Sequence, residues 1–476
     1  MPVLGAGFFT GIGVWLGFTG VAATIVGFVA IGATVYAATK LLAPDIPSFD
    51  SSASRGSLVN KEGSSQPVPV VYGERRIGGT RIFIASNGAD NKYLHSVVAL
   101  CEGPISAIKK IYLNDELAAT SSDGGATWSY ESKYSGFLQV IAYKGDQTTA
   151  DATLVAEDVG WTNNHVGNGI AYLYVRFEFD QDVYGGGLPN VTALVEGKTV
   201  PEIGSAWNAN LSYSNNPARI IYDYLVNPNY GKGIPFSLID STSFNATATY
   251  CDEVVTNSDA STEKRYTTNG YVNVDGRMFD TVVELLQTCR GFITASNGYE
   301  LHVDKPVDTS SVYSITDNNI IGDIEYTVGS KRTLINHIRA KLNNENAEFN
   351  YQEDFKIVSS DSLIASDGVK LTREMTLPHT TSVTMIERLA TEEINQSRQS
   401  GALKVTTTTQ LFEVTVGDVV KFTNDTLGQT DKLYRVVNQV LTADHTIQLT
   451  LIEYDTNVYW DNNPSILLNN KDDTDH

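Results

Sequence analysis

The sequence predicts a mainly β, α+β protein with a few amphipathic helices, preceded by an apolar helical segment at the N-terminus. Three observations predict it. Tyr is abundant, with 24 in 476 residues, and with frequent Thr, Val and Asn it favours strands and turns over helices. Several segments alternate apolar and polar residues with a period of two. The first 39 residues, in contrast, carry no charged side chain before Lys40.

The elements follow in order. Residues 1–44 form an apolar, Gly-rich segment ending at Ala43-Pro44. A secretory signal has a basic start and a short apolar core; here Met1-Pro2-Val3 offers no Lys or Arg and the run is too long. A continuous helix would reach roughly 55 Å at about 1.5 Å per residue, against a hydrocarbon core of about 30 Å. A long or broken helix, or a helical hairpin, fits better than one neat span. Gly7 and Gly11, Gly13 and Gly17, and Ala23 and Gly27 have the small-xxx-small spacing that permits close helix packing. Phe8, Phe9, Trp15, Leu16, Phe18, Ile25, Val26, Phe28 and Ile31 must be removed from water. Lipid, a protein-lined lumen and a bundle of copies would each do so. The plainest reading is a membrane anchor, set beside self-association or insertion.

Residues 45–66 are Ser-rich and aperiodic, as in a flexible linker. Three β-rich or mixed regions then follow at 67–206, 207–310 and 311–400, a closing β-barrel-like region at 401–460, and a polar tail at 461–476. In Ala171-Tyr172-Leu173-Tyr174-Val175-Arg176-Phe177-Glu178-Phe179 the odd positions are apolar, which predicts a strand with one face buried. Residues 138–143, 432–441 and 446–454 look similar, and Gly185-Gly186-Gly187 reads as a turn.

Three helices are predicted. Asn216 precedes Pro217 as cap and first position, and Asn227-Pro228 ends that helix. Phe279, Val282, Val283, Leu286 and Cys289 form a second apolar stripe. Val383, Ile386, Leu389, Ala390 and Ile394 form a third, in a helix over 381–399. All three stripes are read as core faces.

The chemistry is sparse. None of the histidines at 95, 165, 302, 337, 379, 445 and 476 has the zinc-helix spacing. There is no nucleophile elbow or phosphate-binding loop, and Gly11-Ile12-Gly13 follows no strand. Glu392-Glu393 reads as a solvated helix face. Asp180-Gln181-Asp182 reads as a strand-end turn rather than a calcium loop. Cys101, Cys251 and Cys289 are too scattered for a disulfide framework or zinc site and read as buried apolar residues. No catalytic, metal or cofactor residues are assigned. A net charge of −21 and a pI near 4.7 argue against a nucleic-acid binder. They suit a surface past which DNA slides without sticking.

The order of several blocks then carries a resemblance. Pro69-Val70-Val71-Tyr72-Gly73-Glu74-Arg75-Arg76-Ile77-Gly78-Gly79 opens it, followed by Leu94-His95-Ser96-Val97-Val98-Ala99-Leu100-Cys101-Glu102-Gly103-Pro104-Ile105. Next come Ile111-Tyr112-Leu113-Asn114-Asp115, residues 169–176, Leu188-Pro189-Asn190 and Val195-Glu196-Gly197-Lys198. The most telling block runs from Asn216-Pro217-Ala218 to Tyr222-Asp223-Tyr224-Leu225-Val226-Asn227-Pro228-Asn229-Tyr230-Gly231-Lys232-Gly233-Ile234-Pro235. Helix 381–399, Gly417-Asp418-Val419-Val420 and Tyr434-Arg435-Val436-Val437 close it. The chain from about 67 to 458 resembles the central tail hub proteins of siphophages, the J-type tip attachment family. That resemblance implies hub domains with tube-protein-like β-barrels, a homotrimer at the distal tip of the tail, and closure of the tube until DNA ejection. Implied neighbours are the distal tail protein, the C-terminal end of the tape measure protein, and tail fibre or receptor-binding proteins. The host membrane is a further partner at ejection, and DNA passes through the lumen without specific binding. Because long family members continue into receptor-binding regions, host recognition is expected in other, docked proteins. A membrane-anchored β-rich adhesin or secretion component is the alternative, and a tail-associated peptidoglycan hydrolase a third reading.

Overall fold

The computed structural model describes residues 58, 60–62, 66–185, 187–257, 260–295, 298–310, 312–329, 333–342, 356–399, 401–442 and 444–461. In the N-terminal half the strands are β1 (Lys61–Glu62), β2 (Val70–Tyr72), β3 (Glu74–Ile77), β4 (Thr80–Asn87), β5 (Tyr93–Glu102), β6 (Ile105–Leu113), β7 (Glu116–Thr120), β8 (Ser129–Tyr130), β9 (Leu138–Lys144), β10 (Ile170–Glu178), β11 (Val191–Val200) and β12 (Ser212–Tyr213). Short helices α1 (Ala152–Ala156) and α2 (Gln181–Tyr184) interrupt them. One sheet has the order β1-β4-β5-β10-β9. The other has β12-β11-β6-β7-β8, with β3 also on β11. The inward residues of both, among them Val98, Leu100, Ile108, Ile111, Leu173 and Val195, share one core, as expected of sheets that each have an apolar face. β1, inside the stretch read as linker, pairs in parallel with β4.

β10 departs from the one-sided strand expected. Residues from Ala171 to Val175 are buried without alternation. The reason is a cover: Leu154 of α1 and Trp161 lie over Tyr172, Tyr174 and Val97 on the outer face, with Trp161 edge-on to Phe83 at 5.2 Å. Phe179 lies past the strand end and is exposed. Asp180 caps α2 by accepting from the backbone N–H groups of Asp182 and Val183, so the acidic triplet is a helix start.

A central block follows. It contains α3 (Pro217–Val226), α4 (Ser241–Asp252), the hairpin β13 (Val254–Thr256) and β14 (Thr262–Lys264), β15 (Gly270–Val272), α5 (Met278–Gln287), and the hairpin β16 (Gly291–Ala295) and β17 (Tyr299–Val303). The chain then supplies β18 (Ser314–Ile315) and β19 (Glu325–Val328) to the closing sheet. It returns to the block as β20 (His337–Lys341), β21 (Lys356–Ser359), α6 (Asp361–Asp367), β22 (Thr372–Thr376) and α7 (Val383–Gln396).

Asn216 and Pro217 start α3 as the sequence requires, with the Asn216 side chain accepting from Ala218 N–H. Nearly every side chain of α3 is buried. Burial of each large aliphatic side chain contributes about 1.5–3 kcal/mol. Ser382 caps α7 through Met385 N–H, and Met385, Ile386, Leu389 and Ile394 join the common core with α3 and α5. The α5 stripe is shifted from expectation. Leu285 and Thr281 face inward with Val282 and Leu286, while Phe279, in the first turn, is exposed. Cys101, Cys251 and Cys289 are all buried thiols.

The last region is β23 (Gly401–Thr407), β24 (Val419–Asn424), β25 (Gln429–Leu441) and β26 (Ile447–Glu453). The sheet order is β18-β24-β25-β26-β23-β19. Both edge strands come from the one short segment 314–328, and the sheet, called the barrel for its barrel-like form, has its own core of Val405, Val420, Phe422, Tyr434 and Leu449.

Candidate functional site

The side chains singled out for lumen or membrane contact and for close packing, from Gly7 to Ile31, lie outside the described residues. Among the described residues no group of His, Cys, Asp or Glu is arranged to hold a metal ion, and no helix is long and apolar enough to cross a membrane. What stands out instead is a pair of buried polar junctions. Each is centred on a carboxylate, and together they fix the three parts of the fold to one another.

The first joins the sandwich to the central block. At Gly73 the chain steps from β2, paired with β15 of the block, to β3, paired with β11 of the sandwich. Gly73 has φ +63°, and a Cβ there would sit 2.2 Å from the Thr268 carbonyl oxygen, so only glycine makes the step without strain. Next to it, Tyr72 Oη donates to Asp223 Oδ2 at 2.6 Å and Tyr230 Oη donates to the same oxygen at 2.7 Å. Asp223 lies on α3, 1% exposed. Burial pushes its carboxyl pKa up, against the two phenol hydrogen bonds and the Lys198 charge. Lys198 of β11 donates to the Gly103 carbonyl and sits 5.5 Å from the Tyr230 ring centre.

The turn that delivers Tyr230 is built by backbone. Lys232 N–H donates to Tyr224, Gly233 N–H to Asn227 and Ile234 N–H to Leu225. A Cβ at Gly231 would fall 2.0 Å from the Tyr224 carbonyl oxygen. The block Tyr222-to-Pro235 is therefore one device: helix end, carboxylate, turn and phenol.

The second junction joins the central block to the closing barrel. Asp304, just after β17, receives Arg290 Nη2 at 2.5 Å, Arg435 Nη1 of β25 at 2.6 Å and Tyr459 Oη at 2.5 Å. All of these groups are buried or nearly so. Burial alone would raise the Asp304 carboxyl, but Arg435 and Arg290 outweigh it and hold its pKa at about 2. Arg290 Nε also lies 3.4 Å from Glu392 of α7. Glu392 Oε1 accepts from the Trp460 N–H at 3.1 Å.

Glu392 corrects the sequence reading. It is not on a solvated face but 4% exposed, with its pKa raised by burial against the pull of Arg290. Its neighbour Glu393 points away to Arg373 at 2.6 Å, about 100° round the helix. Further along α7, Arg388 is buried and binds Glu263 at 2.6 Å and the Arg265 carbonyl at 2.7 Å. A core helix lined with charges survives because each has a partner; breaking one such pair costs more than the pair contributes.

The residues that organise both junctions were not picked out from the sequence. Asp223 and Arg435 do fall inside blocks that carried the family resemblance. Arg290 and Asp304 carry no local signal beyond a charge at the edge of an apolar run. What the arrangement does chemically is hold, since its carboxylates face their own arginines and phenols.

Comparison with known proteins agrees. A family model described as a putative phage tail protein matches residues 280–438, which includes Arg290, Asp304, Glu392 and Arg435. The chain is 28% identical over 199 residues to tip attachment protein J of Escherichia phage SECphi27, covering 38% of this chain and 16% of that protein. It is 22% identical over 458 residues to baseplate hub protein pb3 of Escherichia phage T5, covering 82% of this chain and 48% of that one. The chain thus spans less than half the length of these relatives. Among solved structures, a chain in the virion of a native gene transfer agent particle shares the fold. Its TM-score is 0.60 at 14% identity, over 92% of this chain and 94% of that one. The chain is similar to the tail-tip and baseplate hub proteins of phages, as the order of its sequence blocks implied.

Proposed function

We propose that this chain is a structural hub at the distal tip of a phage tail, closing the tube before infection and opening for DNA ejection. The observation that carries the reading is the similarity to a baseplate hub protein over 458 residues. The physical character of the chain supports it. A net charge of −21 keeps passing DNA from adhering, because phosphate contacts are made by cations. The buried junctions tie the three parts of the fold together, as a collar under strain requires.

On this reading the hub is a homotrimer and not an enzyme. It meets the distal tail protein, the end of the tape measure protein, and fibre or receptor-binding proteins. Residues 1–44 plug the lumen and insert in the host membrane at ejection. The test is a symmetry-resolved image of the virion with this chain labelled. Three copies at the distal end support the proposal; a chain that is monomeric in solution and absent from the tip overturns it. Liposome leakage with a peptide of residues 1–44 tests insertion separately.

A further inference from the structure

Residues 454–461, which follow the last strand of the barrel, are held at many points. After β26 the chain leaves the barrel and crosses onto the central block, where a different partner grips it at nearly every step. Tyr454 Oη accepts from Val307 N–H at 2.8 Å, and the Val458 carbonyl accepts from Asn395 of α7 at 3.1 Å. Tyr459 reaches Asp304, and Trp460 gives its backbone N–H to Glu392 and its indole N–H to the Thr256 carbonyl at 3.3 Å. Asp461 takes both its hydrogen bonds from Arg265 Nη1, at 2.8 and 3.0 Å. Tyr454, Val458, Tyr459 and Trp460 are all buried.

The hydrophobic cores make the consequence clear. The barrel core and the central core are separate clusters. A small third cluster lies between them, in which Tyr454, Val458 and Tyr459 pack with Val419 and Leu433 of the barrel and Val307 of the connector. Arg435 is the barrel side chain that enters the ionic junction, and Tyr459 is hydrogen-bonded to it at 3.1 Å.

We propose that residues 454–461 are a latch. Seated, the strap makes the barrel and the central block one cooperative body. Lifted, it frees the barrel as a still-folded unit that moves on its connectors, among them the described residues 304–310, 333–336 and 397–399. Tyr459 and Trp460 are the teeth, Asp461 on Arg265 is the catch at the rim, and Asp304 and Glu392 are the seats. This goes beyond the hub reading and does not depend on it, since it concerns how two parts of the chain are held whatever they close.

Hydrogen–deuterium exchange on the full chain tests it, with Trp460→Ala and Asp461→Asn. Trp460→Ala removes a tooth. Asp461→Asn only weakens the catch, at a carboxylate 35% exposed, so it reads the latch even if the first variant folds poorly. Exchange at 304–310, 397–399 and 454–461 should rise about tenfold or more, as for a local opening. β23 to β26 and α7 should keep wild-type protection. Unchanged exchange at the connectors overturns the proposal. So does a uniform rise over both parts, which would make the strap an ordinary piece of one core.

Discussion

Asp223 and Asp304 are both carboxylates at the seam between two parts of the fold, yet they are stabilised in opposite ways. Asp223 has two phenol donors and a lysine that is engaged elsewhere, so burial dominates and its pKa rises. Asp304 has a guanidinium on each oxygen, so the charges dominate and its pKa falls to about 2. The first seam tolerates a neutral carboxyl, because a protonated acid still hydrogen-bonds with phenols. The second requires the anion, because two buried arginines depend on it. A seam built of neutral donors is a packed joint, and one built of full charges fails steeply once a partner is lost.

The comparison breaks most visibly at the barrel seam. Arg435→Met leaves Asp304 with one arginine and should cost about 3–5 kcal/mol, read as a fall in the urea midpoint. The double variant with Asp304→Leu should lose less than the sum of the two single variants, because the Arg435–Asp304 contact is then lost only once. If the double variant is as unstable as the sum of the singles, the two residues are not coupled.

At the sandwich seam Asp223→Ala strands two phenol hydroxyls and should cost about 2–3 kcal/mol. Asp223→Asn, which keeps an acceptor, should cost clearly less. Equal losses for both would mean that the negative charge matters here as well.

Acid titration separates the seams by sign. Asp304, with its pKa lowered in the fold, contributes stability that is present above the ordinary carboxylate range and is lost as pH falls towards 2. For a shift to about 2 that contribution is about 2 kcal/mol, and Asp304→Asn should flatten this acid limb. Asp223 and Glu392 have raised values, so their contribution is present below the ordinary carboxylate pKa and is lost as pH rises through the folded values. Asp223→Asn should leave the acid limb near pH 2 unchanged. The smallest effect is local. Ser382→Ala removes the α7 cap and should cost about 1 kcal/mol, seen in thermal unfolding. A larger loss would show that the Ser382 contact to Glu263 also holds the helix against the β13–β14 hairpin.

How far such features can be read in advance depends on the distance between cause and effect along the chain. Helix α3 was legible because Asn216, Pro217, Asn227 and Pro228 carry its start and stop within a few residues. The long strands β9 and β26 were legible from their alternation, whereas β25 is buried without alternation from Tyr434 to Val437. The double burial of β10 was not, since its cover comes from Trp161 across a loop. Phe279 keeps helical spacing yet lies in the first turn of α5 and is exposed. Glu392 looked solvated because its partners, Arg290 and the Trp460 backbone, are remote in sequence and meet it only when α7 is wrapped by both ends of the block.

By itself the sequence determined the β-rich class, the start and stop of α3, the buried cysteines and the similarity to tail hubs. Period, capping and turn residues act through near neighbours, and block order survives without any contact being known. Only the tertiary structure decided which charges are buried. It also decided that 314–328 supplies both edge strands of the sheet formed beyond residue 400, and that residues 454–461 lie across the seam between that sheet and the central block. Those outcomes depend on desolvation and pairing between distant segments, and a charge has no burial until the chain has brought its partner to it.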